Sequence, residues 1–197
     1  QEGSVTTGGE VRRLEQPFFV LATQNPLEME GTYPLPEAQL DRFLFKVLVR
    51  FPSLSDLETI MDRTTGARPP AASRVIGGAD LLEMRRLVRE VALAPEVRNY
   101  ALRLVLATHP ETPYATERVK RFVRYGSSPR GAQTVVLAAK ATGLLDGRYH
   151  ASFNDVARVA LPALRHRMIL NFEGEAEGIN PDDLLRELLE MVPRVPA

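Results

Sequence analysis

Three residues stand where their side chains could meet an anion: Asn25, Arg42 and Arg130. Asn25 follows the apolar run 18–23, "FFVLAT", and precedes Pro26. In open α/β sheets ligands collect beyond the carboxyl ends of strands. The following proline biases Asn25 toward extended backbone, which aims its amide outward. Such an amide could hold a water or a phosphate oxygen; it could equally form an Asx turn. Arg42 closes the short helical stretch "PEAQLDRF" just before the apolar run 43–49. It could cap that helix or pair with Glu37 or Asp41. The sharper alternative is a planar, permanently charged fork that reaches a γ-phosphate held by a neighbouring subunit. Arg130 falls in the first turn of a helix opened by Ser127 or Ser128 and Pro129. A cation there opposes the helix dipole by ~0.3 kcal/mol or more. The placement is easier to understand if a phosphate is shared between Arg130 and the helix N-terminus. An Arg130 turned out to solvent is the other reading.

Other groupings carry less. The basic run 118–126, "RVKRFVRYG", interleaves Arg and Lys with Phe122 and Tyr125, as a nucleic-acid contact would, but at this length a solvated face is expected. His109, His150 and His166 lack metal-ligand spacing, so no metal site is expected. Glu28 and Glu30 read as loop solvation, and Glu173, Glu175 and Glu177 as the acidic approach to the last helix. No G-x-S-x-G is present to suggest an acyl-transfer serine.

The elements that must position these residues follow from periodicity and punctuation. Residues 4–14 predict a hairpin around Gly8-Gly9, a dipeptide suited to a primed turn. The continuous apolar runs 18–23 and 43–49 predict strands buried on both faces of a parallel sheet. Beyond Phe51 no strand is predicted. One helix is capped at Ser53 or Ser55 and stops at Gly66, and 67–78 is the best linker by its Pro, Gly and Ala content. Helical patterns then cover 81–91, 95–109, 129–145, 153–168 and 181–191. Ser152 with Asp155, and Asn180-Pro181-Asp182-Asp183, sign two of the starts. The expected fold is α/β followed by all-α. Its parts are the end of an α/β core at 1–50, a connecting helix and linker at 51–78, and a helical domain at 79–197.

A chain of 197 residues with 44% apolar and 25% charged residues has an ordinary globular makeup. Lys plus Arg and Asp plus Glu number 25 each, so bulk charge argues for neither nucleic acid nor membrane. The lack of cysteine excludes disulfides, thiolate chemistry and Cys-ligated zinc, and fits a cytoplasmic setting. No apolar run approaches the ~18 residues of a membrane helix, and no signal peptide is visible. A chain that opens on Gln1 rather than Met reads as a piece of a longer protein.

Taken together, "QEGSVTTGGE", "FFVLATQNPLEMEGTYPLPEAQLDRFLFK", "YGSSPRGAQ", "LLDGR" and "LRHRMILNFEGEAEGI" resemble the MoxR family of AAA+ ATPases, in order and nearly end to end. The match is weakest around 65–78. The resemblance implies an AAA+ core with a hairpin insertion and a helical lid. It implies sensor 1 at Asn25, an arginine finger at Arg42 acting on the neighbouring subunit, and sensor 2 at Arg130 touching the γ-phosphate in cis. It further implies ATP with Mg²⁺ and a homo-oligomeric ring, typically a hexamer. Members are chaperone-like motors that remodel or activate partner complexes, often with a von Willebrand A domain protein. No G-x-x-x-x-G-K-[ST] occurs, nor an apolar strand ending in Asp-Glu. The phosphate cradle and most Mg²⁺ ligands are therefore expected outside this chain, which alone should be inactive. Two rivals remain: a non-enzymatic helical adaptor or DNA-binding module on 79–197, and an AAA+ motor of the chelatase or minichromosome-maintenance type. The wording "YPLPEAQLDRF" favours MoxR.

Overall fold

The structure is a computed structural model that describes residues 3–24, 35–66 and 71–195. These fall into two compact units, one formed by 1–21 with 47–85 and the other by 22–46 with 86–197.

In the first unit, β1 (Ser4–Thr7) pairs antiparallel with β2 (Glu10–Arg13), with Thr7 opposite Glu10. Gly8 and Gly9 take φ of +61° and +83°, values that admit glycine without strain, so the predicted hairpin turn forms where the dipeptide puts it. Helix α2 (Leu54–Thr64) begins at Ser53, whose hydroxyl accepts from the Asp56 N–H while the Asp56 carboxylate takes the Ser53 N–H. That reciprocal box resolves the choice between Ser53 and Ser55.

Two predicted strands do not form. Residues 18–23 and 43–49 carry no ladder among the described residues, and their apolar side chains are open, with Leu21 95% and Val49 93% exposed. An apolar run becomes a core strand only when neighbouring strands take up its N–H and C=O groups and helices cover its faces. No described strand lies beside either run. The expectation of no strand past Phe51 also needs correction. Beyond it lie β3 (Ala92–Leu93), β4 (Val123–Tyr125), β5 (His150–Ala151) and β6 (Ile169–Leu170). β3 pairs parallel with β5, and β4 antiparallel with β6. Pieces of two or three residues are too short to print an alternation.

The second unit is mainly helical. A short α1 (Glu37–Leu40) begins after Pro36; then come α3 (Gly78–Glu90), whose end enters this unit, α4 (Pro95–Ala107) and α5 (Glu117–Phe122). They are followed by α6 (Pro129–Leu145), α7 (Phe153–Leu164), α8 (Phe172–Ala176) and α9 (Pro181–Met191). α6 and α9 match the predicted spans end for end. α7 stops at Leu164, four residues early, and α5 and α8 were not foreseen. The core gathers Leu104 from α4, Val119 from α5, Val135 from α6, Val156 and Leu164 from α7, and Leu184 and Leu188 from α9, all with no exposed surface. Tyr100 meets Phe153 edge to face at 5.6 Å. This packed bundle is the platform on which the residues of interest stand.

Candidate functional site

The start of α6 is built rigidly. Buried Ser127 donates its N–H to Thr108 Oγ1 at 2.9 Å, and that hydroxyl in turn donates to Val105 O at 2.6 Å. His109 Nε2 donates to Ser127 O at 2.9 Å, so the end of α4 clamps the residue before the cap. Ser128 is the N-cap, accepting from the Arg130 N–H at 3.2 Å, and Pro129 fills the first helical position, where its missing donor costs nothing.

Onto this helix start comes Asp41, the residue just past α1. Its carboxylate accepts from Ser128 Oγ at 2.7 Å, from Arg130 Nη1 at 2.9 Å and from Arg167 Nε at 3.1 Å. Arg130 therefore neither faces plain solvent nor waits empty: its first-turn cation is balanced by a carboxylate at the N-terminus of α6. The side chain is still 43% exposed. Burial works against the Asp41 charge, but the hydrogen bonds from Ser128 and Arg130 and the Arg167 charge together hold its pKa below the ordinary carboxylate value. One carboxylate against two guanidiniums leaves the cluster with a surplus positive charge before Arg42 is counted.

Arg42 behaves differently from its neighbour. Its N–H donates to Gln39 O at 3.1 Å, continuing α1, while its side chain is exposed. It pairs with neither Glu37 nor Asp41, and no hydrogen bond or ion pair holds its guanidinium among the described residues. Asn25 lies outside the described residues. Arg130 is thus anchored to the turn through Asp41, while Arg42 beside it has no partner for its guanidinium among the described residues.

Two further residues complete the arrangement, both from "LRHRM" after α7. Arg167 is buried, 5% exposed, and binds the 41–44 turn; His166 donates from Nε2 to Phe43 O at 3.1 Å. The one sequence signal for them was a basic triplet, Arg165-His166-Arg167, set inside an apolar segment. Arg165 makes a two-pronged pair with buried Asp182 and donates to Lys46 O at 2.8 Å. Burial, and then the Arg167 charge, push the His166 pKa down to about 4.

The donor set suits a phosphate: at the N-terminus of α6 a hydroxyl and a half-exposed guanidinium already donate to a carboxylate. The described residues contain no group of three or more His, Cys, Asp or Glu that could hold a metal ion. The basic run 118–126 is largely spent on internal pairs: Arg118 with Glu187 at 3.1 Å, Lys120 with Glu117 at 2.7 Å, and Arg121 with both Glu173 and Glu177. Val119 and Phe122 point into the core. Among the described residues no helix is long and apolar enough to cross a membrane.

Known proteins resemble this chain in sequence and in fold. The model for the ATPase family associated with various cellular activities (AAA) matches residues 1–45, and the AAA lid domain model matches 115–188. Chaperone MoxR1 of Mycobacterium tuberculosis is 37% identical over 98% of this chain and 51% of its own length. Protein YeaC of Bacillus subtilis is 38% identical over 98% of this chain and 58% of its own length. The crystal structure of a candidate ATPase from Cytophaga hutchinsonii superposes with a TM-score of 0.92 at 35% identity, covering 100% of this chain and 59% of that one. The chain thus spans somewhat more than half the length of these relatives. Likeness along its whole length and an AAA match at one end with a lid match toward the other lead to one assignment: the chain belongs to the AAA+ ATPase family, as a homologue of its MoxR-type members.

Proposed function

We propose that this chain carries the phosphate-reading and neighbour-reaching residues of an ATP site in a MoxR-type motor, which uses hydrolysis to remodel or activate partner complexes. One observation carries the reading: Asp41 is tied to the start of α6 by Ser128, Arg130 and Arg167, while Arg42, next in the chain, is left exposed and unpaired among the described residues. A structural arginine would use its charge at home. A trans-acting one must keep its charge available, on a fixed base, for a phosphate that arrives on another subunit.

In this reading Asn25 orients the attacking water, Arg130 meets the γ-phosphate in cis, and Arg42 meets the nucleotide of the adjoining subunit in a ring, expected to be a hexamer. Mg²⁺ bound with ATP would neutralise charge on the phosphates. Residues 1–50 would complete an α/β core, 51–78 would connect, and 79–197 would form the lid. A von Willebrand A domain protein is the expected partner class, and the setting is cytoplasmic. The chain alone, lacking a P-loop, would not turn over ATP.

The test is Arg42→Ala in the longer protein that carries this chain. Turnover should fall ~10³-fold, because charge delivered from a neighbour acts mainly in the transition state. Nucleotide affinity should stay nearly unchanged. Mixing with subunits defective in Mg²⁺ binding should restore part of the activity at shared interfaces. Normal turnover per folded ring would reduce Arg42 to a helix-end residue.

A further inference from the structure

We infer that Arg167 is a positioning residue for Arg42, resting on the reading just given. A guanidinium has five N–H donors in a rigid fork, and here all five are used. Nε donates to Asp41 Oδ1 at 3.1 Å. Nη2 donates to Asp41 O at 2.9 Å and Phe43 O at 2.6 Å. Nη1 donates to Leu44 O at 3.2 Å and to Ala163 O in the last turn of α7. Four of the five acceptors belong to the turn 41–44, and they bracket Arg42 on both sides. Arg42 adds its own N–H bond to Gln39 O. Its backbone is therefore immobilised from before and after, and only its side chain is left to move.

A residue that merely filled the core would not need this pattern. Burial pushes the Arg167 pKa down, working against its charge, and an apolar side chain would fill the space without that penalty. What an apolar residue cannot do is gather three carbonyls and a carboxylate of one turn onto the end of α7. The fork converts the position of α7 into the position of the Arg42 Cα. Catalysis by a delivered charge depends on such placement, since a misplacement of ~1 Å can cost ~10²-fold in rate. Lysine offers three donors from a single point and cannot span the same five acceptors.

The experiment uses the longer protein carrying Leu44→Cys and Arg158→Cys, spin-labelled, both sites being exposed and both in the helical unit. With Arg167 intact the interlabel distance should be narrowly distributed, with or without nucleotide. Arg167→Lys should broaden it. In protein without labels the same change should lower kcat between about tenfold and 10²-fold, with KM within about twofold. In an Arg42→Ala background Arg167→Lys should lower kcat no further, because it acts through Arg42. A distribution that stays narrow, or a full additional loss of kcat in the Arg42→Ala background, would overturn the inference. If Arg167→Lys fails to fold, Asp41→Asn, which keeps size and removes the one charged acceptor of the five, takes its place with the label distances as the readout, and a distribution that stays narrow overturns the inference. Should Arg42→Ala itself leave hydrolysis normal, the functional reading fails, and the label distances still decide whether Arg167 fixes the turn.

Discussion

Acidification should loosen the helical unit through one imidazole, His166. Its Nε2 faces Phe43 O, a carbonyl that can only accept, so Nε2 carries the proton and Nδ1 holds a lone pair. Nδ1 is buried with no hydrogen-bond partner among the described residues. Protonation would place an N–H there with no acceptor, next to the positive charges of Arg167 and Lys46 and only the partly opposing charge of Asp41. The pKa of about 4 lies below the ordinary histidine value. A folded-state pKa lowered in this way gives stability that is complete above the unfolded value of ~6.5 and is lost as pH falls toward the folded value. Between pH 7 and pH 5 the linkage relation gives a loss of about 1.8 kcal/mol, and allowing for the partial exposure of the ring leaves about 1 kcal/mol. Urea unfolding of wild type and His166→Gln at the two pH values measures it; the glutamine does not titrate and keeps an amide donor near Phe43 O. The wild type should lose about 1 kcal/mol more than the variant over this interval. Equal losses in both proteins would show that His166 is not held neutral, and the reasoning from its buried Nδ1 would fail.

Other expectations concern the same unit. Asp155 takes both prongs of Arg148, at 2.7 and 2.8 Å, and closes the capping box of α7, so its pKa is lowered to about 2, first of all by the Arg148 hydrogen bonds. Asp155→Asn should cost about 2–3 kcal/mol by denaturant unfolding at pH 7, and that difference should shrink as pH falls from about 4 to about 2. A variant as stable as wild type at pH 7 would contradict this. A Cβ on Gly131 would lie 2.0 Å from Ser127 Oγ and 2.9 Å from Leu164 Cδ2, so Gly131→Ala should destabilise by about 1–3 kcal/mol, despite alanine's better helix propensity. A raised melting temperature would mean that Ser127 can turn away freely.

What could be read in advance was whatever is written locally. Ser152 with Asp155, Asn180 with Pro181, and Ser127 or Ser128 with Pro129 announce helix starts within four residues of chain; each helix begins there, the last capped by Ser128. Gly8-Gly9 announces its turn in two. The apolar runs at 18–23 and 43–49 misled because apolarity says what a segment would bury, whereas a strand exists only when a partner offers its edge. The role of Asp41 was hidden for a related reason. Its partners lie 87, 89 and 126 residues away, so it looked like a possible mate for the adjacent Arg42. Arg167 left still less trace, since four of its five acceptors are backbone carbonyls, which no side-chain pattern records. The family resemblance picked out Arg42 and Arg130 one at a time; the carboxylate that joins them is a property of the fold.

The distance along the chain between Asp41 and Arg167 has a consequence in time. A ribosome making this protein delivers Asp41 first and must add 126 more residues before the guanidinium that fastens it exists. At about 5–20 residues per second that wait is roughly 6–25 s. Through that interval the 41–44 turn has three carbonyls without the donors that later satisfy them, and α6, with Arg130, appears only partway through it. The hairpin at Gly8-Gly9 can close almost as soon as it leaves the exit tunnel, whereas the Arg42 turn must wait for the far end of the bundle. A nascent subunit is therefore unready at Arg42 until the chain has been translated through Arg167.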